Sequence, residues 1–159
     1  MSQHYWFYER KEGETAPSPL TVKSLMTTKV FRLTPGNLVL DAINLIRNEG
    51  VRHIPLVEEG SDRLVGLVTE TDILRNVLHG KKMTQEEEYH ATLDLMLELR
   101  DIMVTNVETL MPEMTVDRVV HLFLTKRIRC VPIVDEKRNL QGIITETDLM
   151  MLLKHMIEP

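Results

Sequence analysis

The sequence predicts a mixed α/β (α+β) fold assembled from two copies of one β-α-β-β-α unit. Three observations carry this reading. From residue 21 onward the chain repeats itself at an offset of 77 residues. Each copy then passes from apolar residues at helical spacing to two short, continuous apolar runs of the kind that form buried strands. Between those runs lies a polar hairpin loop, and there the offset slips to 76 because the first loop is one residue longer.

The repeat is read residue by residue. Val22-Lys23-Ser24-Leu25-Met26 matches Leu99-Arg100-Asp101-Ile102-Met103, and Thr28, Val30, Leu33 and Pro35 match Thr105, Val107, Leu110 and Pro112. Arg52, Pro55 and Val57 match Arg129, Pro132 and Val134. After the hairpin, Gly66-Leu67-Val68-Thr69-Glu70-Thr71-Asp72 meets Gly142-Ile143-Ile144-Thr145-Glu146-Thr147-Asp148, with the last four residues identical.

Each copy opens with an expected strand at 30–33 or 107–110, ended by a proline turn. A helix follows, carrying Val39, Ala42, Ile43 and Ile46 in the first copy and Val116, Val119, Val120 and Phe123 in the second. Strands are expected at 53–57 and 64–68, and at 130–134 and 140–144, with a second helix starting directly after. The helix of the first copy should stop at His79-Gly80, glycine serving as a C-terminal cap. Thr84 with Glu87 forms a capping-box signature for a further helix to about Arg100. Within it Leu93, Leu95, Leu97 and Leu99 alternate as in a strand, and the upstream cap decides for helix. The expected division is therefore an arm at 1–20, a first unit at 21–80, a helical linker at 81–98 and a second unit at 99–159. One unit alone buries too little apolar area to outweigh chain entropy, so the two should share a core.

The N-terminal arm contains Tyr5-Trp6-Phe7-Tyr8 and then Ala16-Pro17-Ser18-Pro19. The Pro-Ser-Pro stretch reads as an extended lead-in, and the aromatic knot should dock on the protein's own core or on a partner.

Composition narrows the function. Apolar residues at 43% and charged residues at 27% fit a soluble globular chain. A net charge of -5, with no cluster of Lys and Arg, argues against a nucleic-acid partner. Apolar stretches are too short for membrane insertion and no signal-peptide core opens the chain, so a cytoplasmic location is expected. Cys130 is the single cysteine, in an apolar run that favours a buried thiol, and the six histidines show no metal-ligand spacing.

The Thr-Glu-Thr-Asp element repeated at 69–72 and 145–148 is the strongest candidate for chemistry. One reading is structural: Thr69 and Thr145 cap the helices, with Asp72 and Asp148 answering three residues on. The other is binding, because a helix start offers free N–H groups to a phosphate while a nearby carboxylate can accept the hydroxyls of a ribose.

With these motifs the chain resembles the paired cystathionine-β-synthase (CBS) domains, or Bateman modules, over residues 20 to 157. The resemblance rests on the duplicated Gly-h-h-Thr-x-x-Asp element (h, apolar), on Val51-Arg52-His53-Ile54-Pro55-Leu56-Val57 and Ile128-Arg129-Cys130-Val131-Pro132-Ile133-Val134-Asp135, and on the Leu25-Met26-Thr27 and Ile102-Met103-Val104 openings. It implies two motifs packed with pseudo-twofold symmetry around two clefts that bind AMP, ADP, ATP, S-adenosylmethionine or NAD. It further implies that Asp72 and Asp148 hold ribose hydroxyls, that Thr69 and Thr145 face phosphate, and that Val30-Phe31 and Val107-Glu108 flank adenine. Arg52, His53 and Arg129 would lie near the cleft mouths, where the two arginines could equally form surface ion pairs.

The function expected is that of a non-catalytic sensor of an adenosine-type nucleotide, AMP, ADP or ATP foremost, acting on a regulated protein and assembling as a homodimer through an apolar last helix, 149–156. The alternative is an interaction or dimerisation module with no bound nucleotide. No catalytic cofactor is expected, because neither a Ser-His-acid order nor a Gly-rich phosphate loop can be assembled. The clefts are expected to be unequal: the first copy brings Arg32, Arg52 and His53 to its strand ends, the second Thr109, Arg129, Cys130 and the acidic Glu108. Phosphate should then prefer the first. A phosphate beside His53 should raise its pKa and tighten binding at acid pH, unless the ring points into the sheet.

Overall fold

The computed structural model describes residues 20–77 and 95–158. Both repeats have the expected helix, two-stranded hairpin and second helix. In the first, α1 (Val22–Leu25) is a single turn, α2 spans Val39–Glu49, β1 His53–Val57, β2 Leu64–Thr69 and α3 Glu70–Val77. In the second, a 3-10 turn at Leu99–Asp101 replaces α1, followed by α4 (Val116–Lys126), β3 (Cys130–Val134), β4 (Leu140–Thr145) and α5 (Glu146–Ile157). β1 pairs antiparallel with β2, and β3 with β4, each with a register shift at the equivalent step, Leu56/Val57 and Ile133/Val134.

Apolar periodicity explains the helix packing. Val39 and Ala42 are buried on α2, with Ile43 and Ile46 packed beside them. Val116 and Val119 are buried on α4 and Phe123 packs alongside, but Val120 is 39% exposed and is not a core residue.

The strands expected at 30–33 and 107–110 are each reduced to one residue. Leu33 makes a single parallel bridge to Leu56, and Leu110 makes one to Ile133. The reason is where the chain comes from: each lead-in arrives from the opposite repeat. Thr27 bridges Ile143 on β4, and Val104 bridges Leu67 on β2. Gly142 and Gly66 permit that approach. A Cβ at Gly142 would stand 2.8 Å from Met26 Sδ and 3.0 Å from the Thr27 carbonyl, and one at Gly66 would stand 2.8 Å from Met103 Sδ.

The exchange extends into the cores. Val22 of the first repeat is fully buried among Val119, Val131, Ile133 and Ile144 of the second. Its counterpart Leu99 is fully buried among Val39, Ala42, Ile54, Leu56 and Val68 of the first. A third cluster, Val57, Leu64, Val134 and Leu140, joins the hairpins, with Val30 and Val107 packed on it. There Leu64 N–H donates to the Arg138 carbonyl at 2.9 Å and Leu140 N–H to the Asp62 carbonyl at 2.8 Å.

The helix expected to run to Arg100 ends otherwise. Residues 95–98 form a turn and a bend that end in a single bridge between Glu98 and Leu38, and the carbonyls of Leu95 and Leu97 accept from the free N–H groups of Leu40 and Val39 at the start of α2. The leucine alternation describes the packing, with Leu95 and Leu97 against the first core and Met96 exposed, but the stretch forms no strand. The capping box at Thr84, the cap at Gly80 and the aromatic arm lie outside the described residues.

Candidate functional site

Both Thr-x-x-Asp corners open into one hollow of about 1000 Å³ that lies between the repeats. Each corner forms where a strand meets a helix: β2 ends at Thr69 and α3 begins at Glu70; β4 ends at Thr145 and α5 begins at Glu146. Asp72 Oδ2 accepts from Thr69 N–H at 2.9 Å and from the Thr69 hydroxyl at 2.6 Å. Asp148 Oδ2 accepts from Thr145 N–H at 2.6 Å and from the Thr145 hydroxyl at 2.8 Å. The capping geometry is thus present in both, yet it occupies only Oδ2 of each carboxylate.

Around these corners stand residues that the sequence reading placed at cleft mouths. Arg52 and Arg129 line the hollow with side chains largely exposed, and each is held by the glutamate of the neighbouring motif: Arg52 to Glu70 at 3.6 Å, Arg129 to Glu146 at 3.9 Å. Exposed pairs of this kind are weak, so either guanidinium can turn to an anionic ligand at little cost. Glu70, Glu146, Arg75 and Arg127 line the hollow too. The glutamates belong to the repeated motif itself, whereas neither Arg75 nor Arg127 carries a sequence signal. Arg127 has φ 54, the left-handed conformation that its counterpart Gly50 adopts at φ 68.

His53 and Cys130 are counterparts and both line the hollow, so the imidazole faces the site. Burial lowers the His53 pKa from its usual 6.5; Glu146 and Asp72 oppose this, while Arg129 and Arg52 reinforce it. The free ring therefore takes up a proton less readily than an ordinary histidine. Cys130 is buried, and burial, reinforced by Asp72, pushes its thiol up to about 12.

Not every expected residue is here. Val107 and Glu108 line the hollow, but Val30 and Phe31 are absent from its walls. Val30 packs on the hairpin core instead. Arg32 is also outside, paired with Asp62 at 2.7 Å, and Glu108 is paired with Lys126 at 3.3 Å. The charge argument for unequal clefts thus loses its terms: Arg52, His53, Arg129 and Cys130 share one space, Arg32 is elsewhere, and the Glu108 charge is offset. Thr27 and Val104, both in the walls, were missed. Their signal was a break in the repeat, a hydroxyl in one copy and a methyl in the other. Among the described residues no cluster of His, Cys, Asp and Glu could hold a metal ion, and no helix is long and apolar enough to cross a membrane.

Comparison with known proteins gives the same duplicated unit. The CBS domain family model matches twice, over residues 22–79 and 99–155. The CBS domain-containing protein YhcV of Bacillus subtilis is 32% identical over 130 residues, 81% of this chain and 82% of YhcV. Protein MJ1225 of Methanocaldococcus jannaschii is 29% identical over 140 residues, 86% of this chain but only 50% of MJ1225, so the chain spans half the length of that relative. A solved structure of the CBS domain pair of protein MJ0100 superposes with a TM-score of 0.69 at 26% identity, covering 84% of this chain and 98% of that one. With two matched domains, an exchanged lead-in on each and a shared hollow between them, the chain belongs to the CBS domain family as a tandem pair.

Proposed function

We propose that the chain is a regulatory module that binds an adenosine-type nucleotide in the hollow between its repeats and performs no reaction of its own. The observation that carries this reading is the pair of corners. Each sets a second carboxylate oxygen not used by the cap, suited to ribose hydroxyls, beside a helix start and a loosely held arginine suited to phosphate. AMP, ADP or ATP supplies both halves of that chemistry; S-adenosylmethionine and NAD share the adenosine. The MJ0100 domain pair was solved in complex with 5′-methylthioadenosine and S-adenosyl-L-methionine, which supports an adenosine ligand. Asp72 and Asp148 each hold a ribose, Thr69 and Thr145 set the carboxylates, and Arg52 and Arg129 meet the phosphates. Val107 and Glu108, which line the hollow, flank the adenine, with His53 in the same walls. A lone, buried thiol suits the reducing cytoplasm.

A second feature supports self-association. Helix α5 buries none of its residues fully, leaving Met150 63% and Met156 75% exposed, with Leu124 on α4 at 75%. A homodimer would cover such a face. The nucleotide reading is tested by denaturing freshly purified protein and identifying released small molecules by mass spectrometry. An adenine nucleotide in the supernatant supports it. A protein that releases none, and takes none up from a millimolar mixture, is an interaction module instead.

A further inference from the structure

Resting on the nucleotide reading, we infer that Thr27 makes the two carboxylate corners unequal, so that Asp72 is the stronger ribose acceptor and Asp148 the weaker. The corners are otherwise near copies. In each, Oδ2 is spent on the N–H and hydroxyl of the capping threonine, and Oδ1 is the oxygen left for a ligand. At Asp148 that oxygen already accepts from the Thr27 hydroxyl at 3.3 Å. Thr27 reaches it because the first lead-in crosses to the second repeat and bridges Ile143.

The equivalent crossing of the second lead-in brings Val104 to Leu67, beside the other corner. Valine has the shape of threonine without the hydroxyl, and among the described residues Asp72 Oδ1 accepts no hydrogen bond. A carboxylate oxygen offers about two acceptor positions. Asp72 therefore has both free for the 2′ and 3′ hydroxyls of one ribose. Asp148 has one, unless the ligand displaces Thr27. A hydrogen bond to a charged group is worth roughly a tenfold change in affinity or somewhat more, so one lost position separates the corners by about that factor. Thr27 acts as a specificity-determining residue through its effect on Asp148.

The test is calorimetric titration of the full chain with AMP and with 2′-deoxy-AMP. The wild type should show a tighter and a weaker class of site about tenfold apart. Asp72→Asn should remove the tighter class and Asp148→Asn the weaker; asparagine keeps one oxygen for the cap while turning the other position into a donor. Thr27→Val should strengthen the weaker class several-fold and Thr27→Ser should leave it unchanged, which separates the hydroxyl from the shape of the side chain. Val104→Thr should weaken the tighter class. Loss of the 2′ hydroxyl should cost the Asp72 class more than the Asp148 class. Equal sites in the wild type, loss of the tighter class in Asp148→Asn, or no gain in Thr27→Val would each overturn the inference while leaving nucleotide binding intact. A wild type that binds neither AMP nor ADP, ATP or S-adenosylmethionine overturns both readings together.

Discussion

His53 and Cys130 hold the same place in the two repeats, the first partly buried and the second buried, and shielding from water has opposite chemical results for them. Burial disfavours the charged form of each, so the imidazole is held neutral and the thiol protonated. For His53 the folded pKa is lowered, so as pH falls through about 6.5 the unfolded chain takes up the proton first. Stability should therefore decline below that pH and hold above it. Denaturation midpoints from pH 8 to pH 5 should show a shallower acid loss in His53→Gln than in wild type; parallel profiles would remove His53 from the account. A bound phosphate would have to raise the ring's pKa from this lowered value, which moves any acid tightening of binding to lower pH than an unperturbed histidine gives. Cys130 should resist thiol reagents at pH 8 in the native protein and react at once when the chain is unfolded, as a colorimetric thiol assay would show.

At the scale of elements, the lead-ins decide the architecture, and glycine decides whether they fit. Gly142→Ala sets a methyl against Met26 Sδ at 2.8 Å and against the Thr27 carbonyl at 3.0 Å. The thioether can move but the backbone cannot easily follow, so the variant should lose about 1–3 kcal/mol, measurable by urea titration. Arg127 is the converse case. Its left-handed φ of 54 costs about 1–2 kcal/mol, and glycine would return about 0.5–1 of that as unfolded-chain entropy. Arg127→Gly should raise stability by about 1 kcal/mol or less in the same titration. Much of this level was legible in the sequence: helical apolar spacing at Val39 and Ala42 and the continuous runs at Ile54 and Val131 gave the elements. The crossing was not, because a repeat at constant offset looks the same whether each lead-in stays with its own unit or changes sides. The stretch at Leu95–Leu99 misled for a related reason, since its partners are the free amides of α2, distant in sequence. Within the site, the Thr-x-x-Asp corners were legible as motifs, whereas the merging of two clefts into one hollow depends on how the units pack.

For the whole molecule, the exchange of Val22 and Leu99 between cores means that neither repeat is complete without the other. Leu99→Ala should cost about 2–5 kcal/mol and still leave a single cooperative transition, with fluorescence and circular dichroism changing together; two separate transitions would show independent units. The same coupling gives a nucleotide bound at either corner a hold on both halves, since each corner is walled by the lead-in of the opposite repeat, Thr27 beside Ile143 and Val104 beside Leu67. A ligand bound only by the folded state raises the melting temperature by mass action. The most direct measurement is therefore the melting temperature with millimolar AMP, ADP or ATP, in wild type and in the double variant Asp72→Asn, Asp148→Asn. The account predicts a rise of several degrees in wild type with at least one of these nucleotides and little or none in the double variant; no rise in wild type, or an equal rise in both proteins, would contradict it.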